Sequence, residues 1–453
     1  MSGEGVELEQ RSGFGAVLAS SCLAMLAVGA NSTAIMAALP AMRAELSLGP
    51  GGVQWAVNAY LVVSAAFIVL GGQAADRLGA RPAALAGLVL FAVASCIIAT
   101  AGSEAVLLAG RGLQGLAAAF AVPCTLAAVN TMAPPERRAG AIGAWTGFLM
   151  LGFSIGPLLG GALTHFASWR VIFWLNVLLM LAAGLGLAAA GKAQVAGAPG
   201  RRTDWAGFVL LAVFMVALVF ALHALPQARS APLAAAGPFA LAAAAFALLL
   251  RVEARATAPL LDLGFFARRD FVMGLAIGAL AMFSIMSLLL YYNLFAQSPA
   301  GLGLTPLAAG ASLLPLSVTQ LALALSAAAV AARVGLRNAM TGGMVLVAVG
   351  CAAVGAASAR HDLVLLAIAF AVLGAGLAVP YALAPRLALS ALAPAQTGQG
   401  SGIVNACTFL GGSAGVAGGA AAFALGGFGA VLVMIALAGL LGAIVSRGIA
   451  ETD

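Results

Sequence analysis

Acidic residues are scarce in this chain and missing from its apolar runs: 14 Asp and Glu are spread over 453 residues, none inside a stretch that could cross a membrane. The groups that most often relay protons through a bilayer are therefore lacking. Histidine occurs three times and lysine once, and charged residues make up only 8% of the chain. The five cysteines (Cys22, Cys96, Cys124, Cys351, Cys407) all lie within apolar runs, where they act as small apolar residues; this excludes a disulfide framework or a metal site. No HExxH motif, carboxylate pair or Ser/His/Asp set falls within those runs, which argues against an intramembrane enzyme. No GxxxxGK[ST] loop occurs either, which argues against ATP drive.

What the chain has in excess is apolar surface. It is 63% hydrophobic with a mean hydropathy of +1.10, more than a soluble domain can bury, so it belongs in a bilayer. The runs do not alternate apolar and polar residues, which excludes an outer-membrane barrel. Fourteen stretches have the length of roughly 20 residues that a helix needs to cross the hydrocarbon. They are 14–39, 52–72, 83–102, 105–130, 140–163, 169–190, 205–225, 232–250, 271–296, 304–330, 339–358, 362–384, 399–424 and 427–446. Glu4, Glu7 and Glu9 precede the first run, which is too long for a signal-peptide core.

An even number of spans puts both termini on one side. If that side is cytoplasmic it holds 16 of the 21 Lys and Arg; Arg43, Arg170, Arg229 and Arg360 lie opposite, and Arg111 lies within a span. The split favours cytoplasmic termini, 1–13 and 447–453. Topology then explains the net charge of +7 without a nucleic-acid partner. The histidines (His165, His223, His361) fall near the opposite ends of helices and read as interfacial residues rather than proton carriers.

The chain repeats itself. AADRLGAR at 74–81 returns as VAARVGLR at 330–337; Gly152, Gly156 and Gly160 return as Gly411, Gly415 and Gly419; Pro123 returns as Pro380. The offsets are 256, 259 and 257 residues, which marks two homologous halves. Six helices do not fill such an offset, so two extra spans are inserted. The expected organisation is an N-terminal six-helix bundle at 14–190, linkers and the inserted pair at 191–268, and a C-terminal bundle at 269–446.

Three motifs carry chemistry. Gly72, Asp76, Arg77, Gly79 and Arg81 form a charged loop between the second and third spans, where glycine permits a tight turn and Asp76 can pair with a nearby Arg. Arg111 stands in the middle of the fourth span with Gln114 in register. A cation there costs roughly 2.5–3.5 kcal/mol on insertion scales, so it marks a cavity, a partner or a transport pathway. Gly152, Gly156, Pro157, Gly160 and Gly161 give the fifth span a groove of small residues and a bend.

These motifs, with Trp55-x-x-x-x-Tyr60, Trp169-Arg170-x-x-Phe173 and Asp204-Trp205-x-Gly207, resemble the major facilitator superfamily and, within it, the fourteen-helix drug:proton antiporters. The resemblance implies an all-α integral membrane protein with two six-helix halves and two inserted central helices. It also implies multidrug efflux, coupled to a proton gradient and needing no cofactor, by a monomer in a bacterial cytoplasmic membrane. Where that family carries a first-helix acid ahead of Ala-Leu-Pro, this chain has Asn31 ahead of Ala38-Leu39-Pro40, and an amide does not titrate. Any coupling proton would use Glu45, Glu104, Asp204, Asp270, a helix-end His, or the substrate itself.

The pathway candidates are Asn31, Asn58, Arg111, Gln114, Trp145, Phe148, Tyr291, Tyr292, Asn293, Gln297, Tyr381 and Asn405. One Arg and no acid in the membrane favour neutral or anionic amphipathic substrates over lipophilic cations. An uncoupled facilitator or importer is the alternative, and a receptor or scaffold without transport is a further one.

Overall fold

The structure is a computed structural model. It describes residues 3–190, 205–224, 232–256, 262–393 and 396–449; Asp204 and Arg229 lie outside them. The apolar runs fold as helices because in hydrocarbon each backbone N–H and C=O has to be satisfied within its own segment. The first six are α1 (Gly3–Leu46), α2 (Pro50–Leu78), α3 (Ala80–Ala99), α4 (Glu104–Met132), α5 (Pro135–Phe166) and α6 (Arg170–Ala189). The inserted pair is α7 (Trp205–Ala224) and α8 (Pro232–Glu253). The rest are α9 (Arg269–Ala296), α10 (Pro306–Ser312), α11 (Leu314–Val334), α12 (Leu336–Arg360), α13 (Leu363–Ser390) and α14 (Thr397–Ser446).

Local chemistry sets the ends. Ser103, Thr305 and Asp362 cap α4, α10 and α13 through side-chain oxygens that accept first-turn N–H groups. Pro50, Pro135 and Pro306 sit in first turns, where an N–H is not needed. Three expected spans differ in detail. The stretch expected at 304–330 is broken at Leu313 into α10 and α11, with Pro315 opening the second piece. The last two spans run together as one 50-residue helix, α14, whose course turns at Gly426 and Gly427, the latter at φ 64°. Among the described residues thirteen helical runs are long and apolar enough to cross a membrane, and the bend in α14 makes fourteen passes.

The repeat in sequence is a repeat in space. Gly79 and Gly335 both hold positive φ (90° and 84°) and each joins two helices, α2 to α3 and α11 to α12. Only glycine enters that conformation freely. In the N-terminal half Gly152, Gly156 and Gly160 of α5 lie on α1, where a Cβ would run into Leu26, Thr33 and Ala34. In the C-terminal half Gly411 and Gly415 of α14 lie on α9, against the carbonyls of Ala279 and Phe283. Small residues let the backbones touch, and in lipid that contact replaces the hydrophobic drive available in water.

The halves meet along two seams, α2 against the first arm of α14 and α5 against α10 and α11. The inserted α7 covers the first: its Phe208, Leu211 and Met215 join one apolar cluster with Ala65, Ala66 and Val69 of α2 and Ile403, Val404 and Ala406 of α14. Helix α8 packs on α7, with Phe246 against Phe214 at 4.9 Å between centroids. The α2–α3 turn with Arg77 and Arg81 marks the arginine-rich face; Arg43 and Arg170 mark the arginine-poor one.

Filling the α1–α5 groove should cost stability. Gly152→Val overpacks a backbone contact, worth about 1–3 kcal/mol, and should lower the melting temperature of the purified protein by several degrees. Gly147→Ala, at a position where a Cβ meets nothing within 4 Å, should leave it unchanged.

Candidate functional site

Arg111 is wholly buried in α4 and, among the described residues, has no carboxylate within hydrogen-bonding reach. Its Nε donates to the Ala56 carbonyl of α2 at 2.7 Å, one terminal nitrogen donates to Gln114 Oε1 at 2.6 Å, and the guanidinium lies 4.7 Å from the centre of the Tyr60 ring. A backbone dipole, an amide oxygen and a π face thus stand in for a counter-ion. Its other terminal nitrogen has no hydrogen-bond partner.

Around Gln114 the polar groups form a directed chain. Asn176 of α6 donates to Asn31 Oδ1 at 2.8 Å, and Asn31 of α1 donates to Gln114 Oε1 at 3.3 Å. Gln114 in turn donates to Ser95 of α3 at 2.9 Å, and Ser95 donates to the Phe91 carbonyl at 2.7 Å. Each amide gives with one end and receives with the other. Asn31 therefore completes the network as a relay of hydrogen bonds, which an ionised carboxylate, an acceptor only, could not do in this arrangement. Asn176 and Ser95 were not singled out in the sequence, because a lone Asn or Ser in an apolar helix does not reveal the face it occupies.

A narrow cleft, with a free volume of about 20 Å3, lies between the halves. Thr33 of α1 and Met150, Phe153, Ser154 and Pro157 of α5 form one wall; Met282 and Leu289 of α9, Ser317 and Gln320 of α11 and Tyr381 of α13 form the other. No charged residue lines it. Pro157 has no N–H for the carbonyl four residues back, that of Phe153, and Thr33 supplies the missing donor at 3.0 Å. The bend of α5 is thereby tied to α1 at the cleft. Toward the arginine-poor face the halves interlock: a Cβ on Gly161 would strike the Pro306 carbonyl of α10, and one on Gly310 would strike the Pro157 carbonyl. Gln297 adds a hydrogen bond across the halves, to the Ala37 carbonyl at 2.9 Å.

The remaining candidates lie elsewhere. Trp145 is buried and donates to Thr125 at 3.1 Å, while Phe148 is 40% exposed and does not line the cleft. Tyr291 donates to the Val416 carbonyl at 2.7 Å, and Tyr292 shares a 2.5 Å hydrogen bond with Ser312 while packing on Phe370 and Phe428. Both tyrosines hold the C-terminal half together. Asn293 donates to the Leu289 carbonyl and accepts from Gln297; Asn405 donates to the Ser401 carbonyl. In the charged loop, Arg81 caps the end of α6 through the carbonyls of Leu187 and Ala188, and Asp76 and Arg77 occupy the last turn of α2. Close helix approach falls on Gly71, against the Ala119 carbonyl, and not on Gly72, where a Cβ would meet nothing within 4 Å. Of the acids considered for proton transfer, Glu45 accepts from Trp169 at 2.6 Å and pairs with Arg170, and Glu104 lies against Gly52. Asp270 stands in the first turn of α9.

The sequence profile of the Major Facilitator Superfamily matches residues 21–416. The chain is 31% identical over 402 residues to the tetracenomycin C resistance and export protein of Streptomyces glaucescens, covering 88% of this chain and 74% of that one. It is 30% identical over 407 residues to the multidrug efflux pump LfrA of Mycolicibacterium smegmatis, covering 88% and 79%. Among solved structures, an auto-inhibited POT family peptide transporter superimposes with a TM-score of 0.71 over 97% of this chain and 98% of its own, at 15% identity. The human organic anion transporter MFSD10 (TETRAN) does so with 0.64 over 96% and 99%, at 17% identity. These two similarities bear on the fold alone.

The hydrogen-bond chain makes Gln114 the critical position. Gln114→Leu strands donors on both Arg111 and Asn31, at about 1–3 kcal/mol for each buried group, and should lower the melting temperature by several degrees. Gln114→Glu still accepts from Arg111 and Asn31 and loses only the donation to Ser95, so its melting temperature should stay well above that of Gln114→Leu.

Proposed function

The chain belongs to the Major Facilitator Superfamily, and we propose that it exports neutral or anionic amphipathic compounds from a bacterial cell, drawing on the proton gradient by alternating access. It is related to drug and antibiotic efflux pumps. The observation that carries the finer reading is the cleft: it lies where the halves meet, has walls from both, and is lined by Met, Phe, Leu and Tyr with only Ser, Thr and Gln among them. Apolar walls with a few neutral polar groups suit an amphipathic organic molecule once rocking of the halves widens the cleft. Without an acid there is no counter-charge to hold a lipophilic cation. In this reading the arginine-rich face is cytoplasmic. The Gly161–Pro306 and Gly310–Pro157 interlock closes the cleft toward the outside, and rocking of the halves opens it.

Uncoupled transport is the second reading. Asn31 favours it, because the amide hydrogen-bonds without exchanging a proton.

Purified protein in liposomes holding a pH-sensitive dye separates the two. With an imposed gradient, neutral or anionic drugs should dissipate it only when the protein is present. If labelled drug equilibrates while the gradient stays intact, transport is uncoupled. Preferential pumping of a quaternary dye would contradict the substrate class. Tyr381→Ala and Gln320→Ala should each raise the KM for drug, with little change in kcat, if these cleft residues bind ground and transition states alike.

A further inference from the structure

Where α7 ends it meets α2 through a histidine. The His223 ring is partly buried and stacks on Trp55, with centroids 4.8 Å apart and planes 23° from parallel. Its Nδ1 lies 2.9 Å from the Val219 carbonyl oxygen, which only accepts, so Nδ1 carries a hydrogen. Its Nε2 lies 3.2 Å from the side-chain nitrogen of Asn58, which only donates, so Nε2 is bare and the ring is neutral. Asn58 is wholly buried, and its Oδ1 has no hydrogen-bond partner. A buried acceptor with no donor is thus held next to an imidazole that can acquire one.

We propose that His223 and Asn58 form the proton-binding site of this transporter, an inference that rests on the proton-coupled reading given above. A hydronium ion at the arginine-poor face gives its proton to the Nε2 lone pair: one O–H bond breaks and leaves water, one N–H bond forms, and the ring gains one positive charge. The Asn58 amide turns over, so that Oδ1 accepts the new N–H. Trp55 then faces a cation, which its π surface favours. Because α7 packs on both α2 and α14, one helix from each half, movement of the halves displaces α7 and His223 with it. The same proton leaves toward the opposite face after that movement, and the ring becomes neutral again.

Among the described residues His223 is the titratable group at this point. On α2 it meets Trp55 and Asn58; Tyr60 turns to Arg111, and Asp76 and Arg77 are in the last turn. Glu104 approaches the start of α2 at Gly52. On α8 the ionisable residues, Arg251 and Glu253, are in its last turn, away from the Pro232 end that follows His223 in the chain. α14 contains no Asp, Glu, Lys, Arg or His, and Cys407 is its one thiol. Arg229, the next charge along the chain, lies outside the described residues.

His223→Gln and Asn58→Leu, each in proteoliposomes, test the proposal through two readouts. Gradient-driven flux needs the proton; drug-for-drug exchange without a gradient needs only binding and rocking. His223→Gln should lose gradient-driven flux to the protein-free baseline and keep exchange. Wild-type flux should titrate with a single midpoint, and Asn58→Leu should displace that midpoint. If the wild type is coupled and His223→Gln keeps both flux and pH profile, the site is wrong but proton coupling stands. If both variants lose exchange together with flux, His223 only docks α7, and the proposal fails. A wild type that moves drug with no proton overturns the coupled reading itself.

Discussion

One guanidinium buried in hydrocarbon without a carboxylate organises the N-terminal half. Arg111 cannot shed its charge and cannot reach water, so its neighbours have to provide oxygen and π density. The Ala56 carbonyl, Gln114 and the Tyr60 ring provide them from α2 and α4. Gln114 then fixes Asn31 and Ser95, and Asn31 fixes Asn176, so α1, α3, α4 and α6 are held through a single polar chain. Breaking it at any link leaves a donor or acceptor where water cannot replace it.

Proline and glycine solve the same problem along the backbone. Each proline inside a helix frees the carbonyl four residues earlier. Thr33 takes up that of Phe153, which Pro157 released, and Gly71 brings its Cα against that of Ala119, which Pro123 released. These repairs fall at the helix contacts that shape the seams. The bends therefore work as part of the packing: the carbonyl of Pro157 receives Gly310 from the other half, and the two halves close on each other there.

Much of this could be read in the sequence. Long apolar runs locate the fourteen passes, since little but a bilayer favours them, and glycine at a constant offset exposes the duplicated α1–α5 and α9–α14 packing. Arg111, Gln114 and Asn31 stand out as polar residues in apolar helices. Their partners Ser95 and Asn176 do not, because rotation of one helix against another decides which lone polar residue meets which. For the same reason Tyr291 and Tyr292, aromatic residues in the first helix of the C-terminal half, could not be told apart from cleft residues until their hydroxyls were seen bonded to Val416 and Ser312. The break at Leu313 was hidden inside a run of unbroken hydropathy. His223 read as interfacial, and only the docking of α7 on α2 brings it to Asn58.

Alternating access requires the interlock of α5 with α10 to open while the α2–α14 seam adjusts. The direct measurement places spin labels at Phe166→Cys and Ala300→Cys, exposed positions at the arginine-poor ends of the two halves, in a background free of native cysteine. Distances between them are then recorded with and without drug across a range of pH. A short distance in the resting protein that gains a longer population on adding drug or lowering pH is the expected result. A single distance unmoved by either would contradict transport by rocking of the two halves.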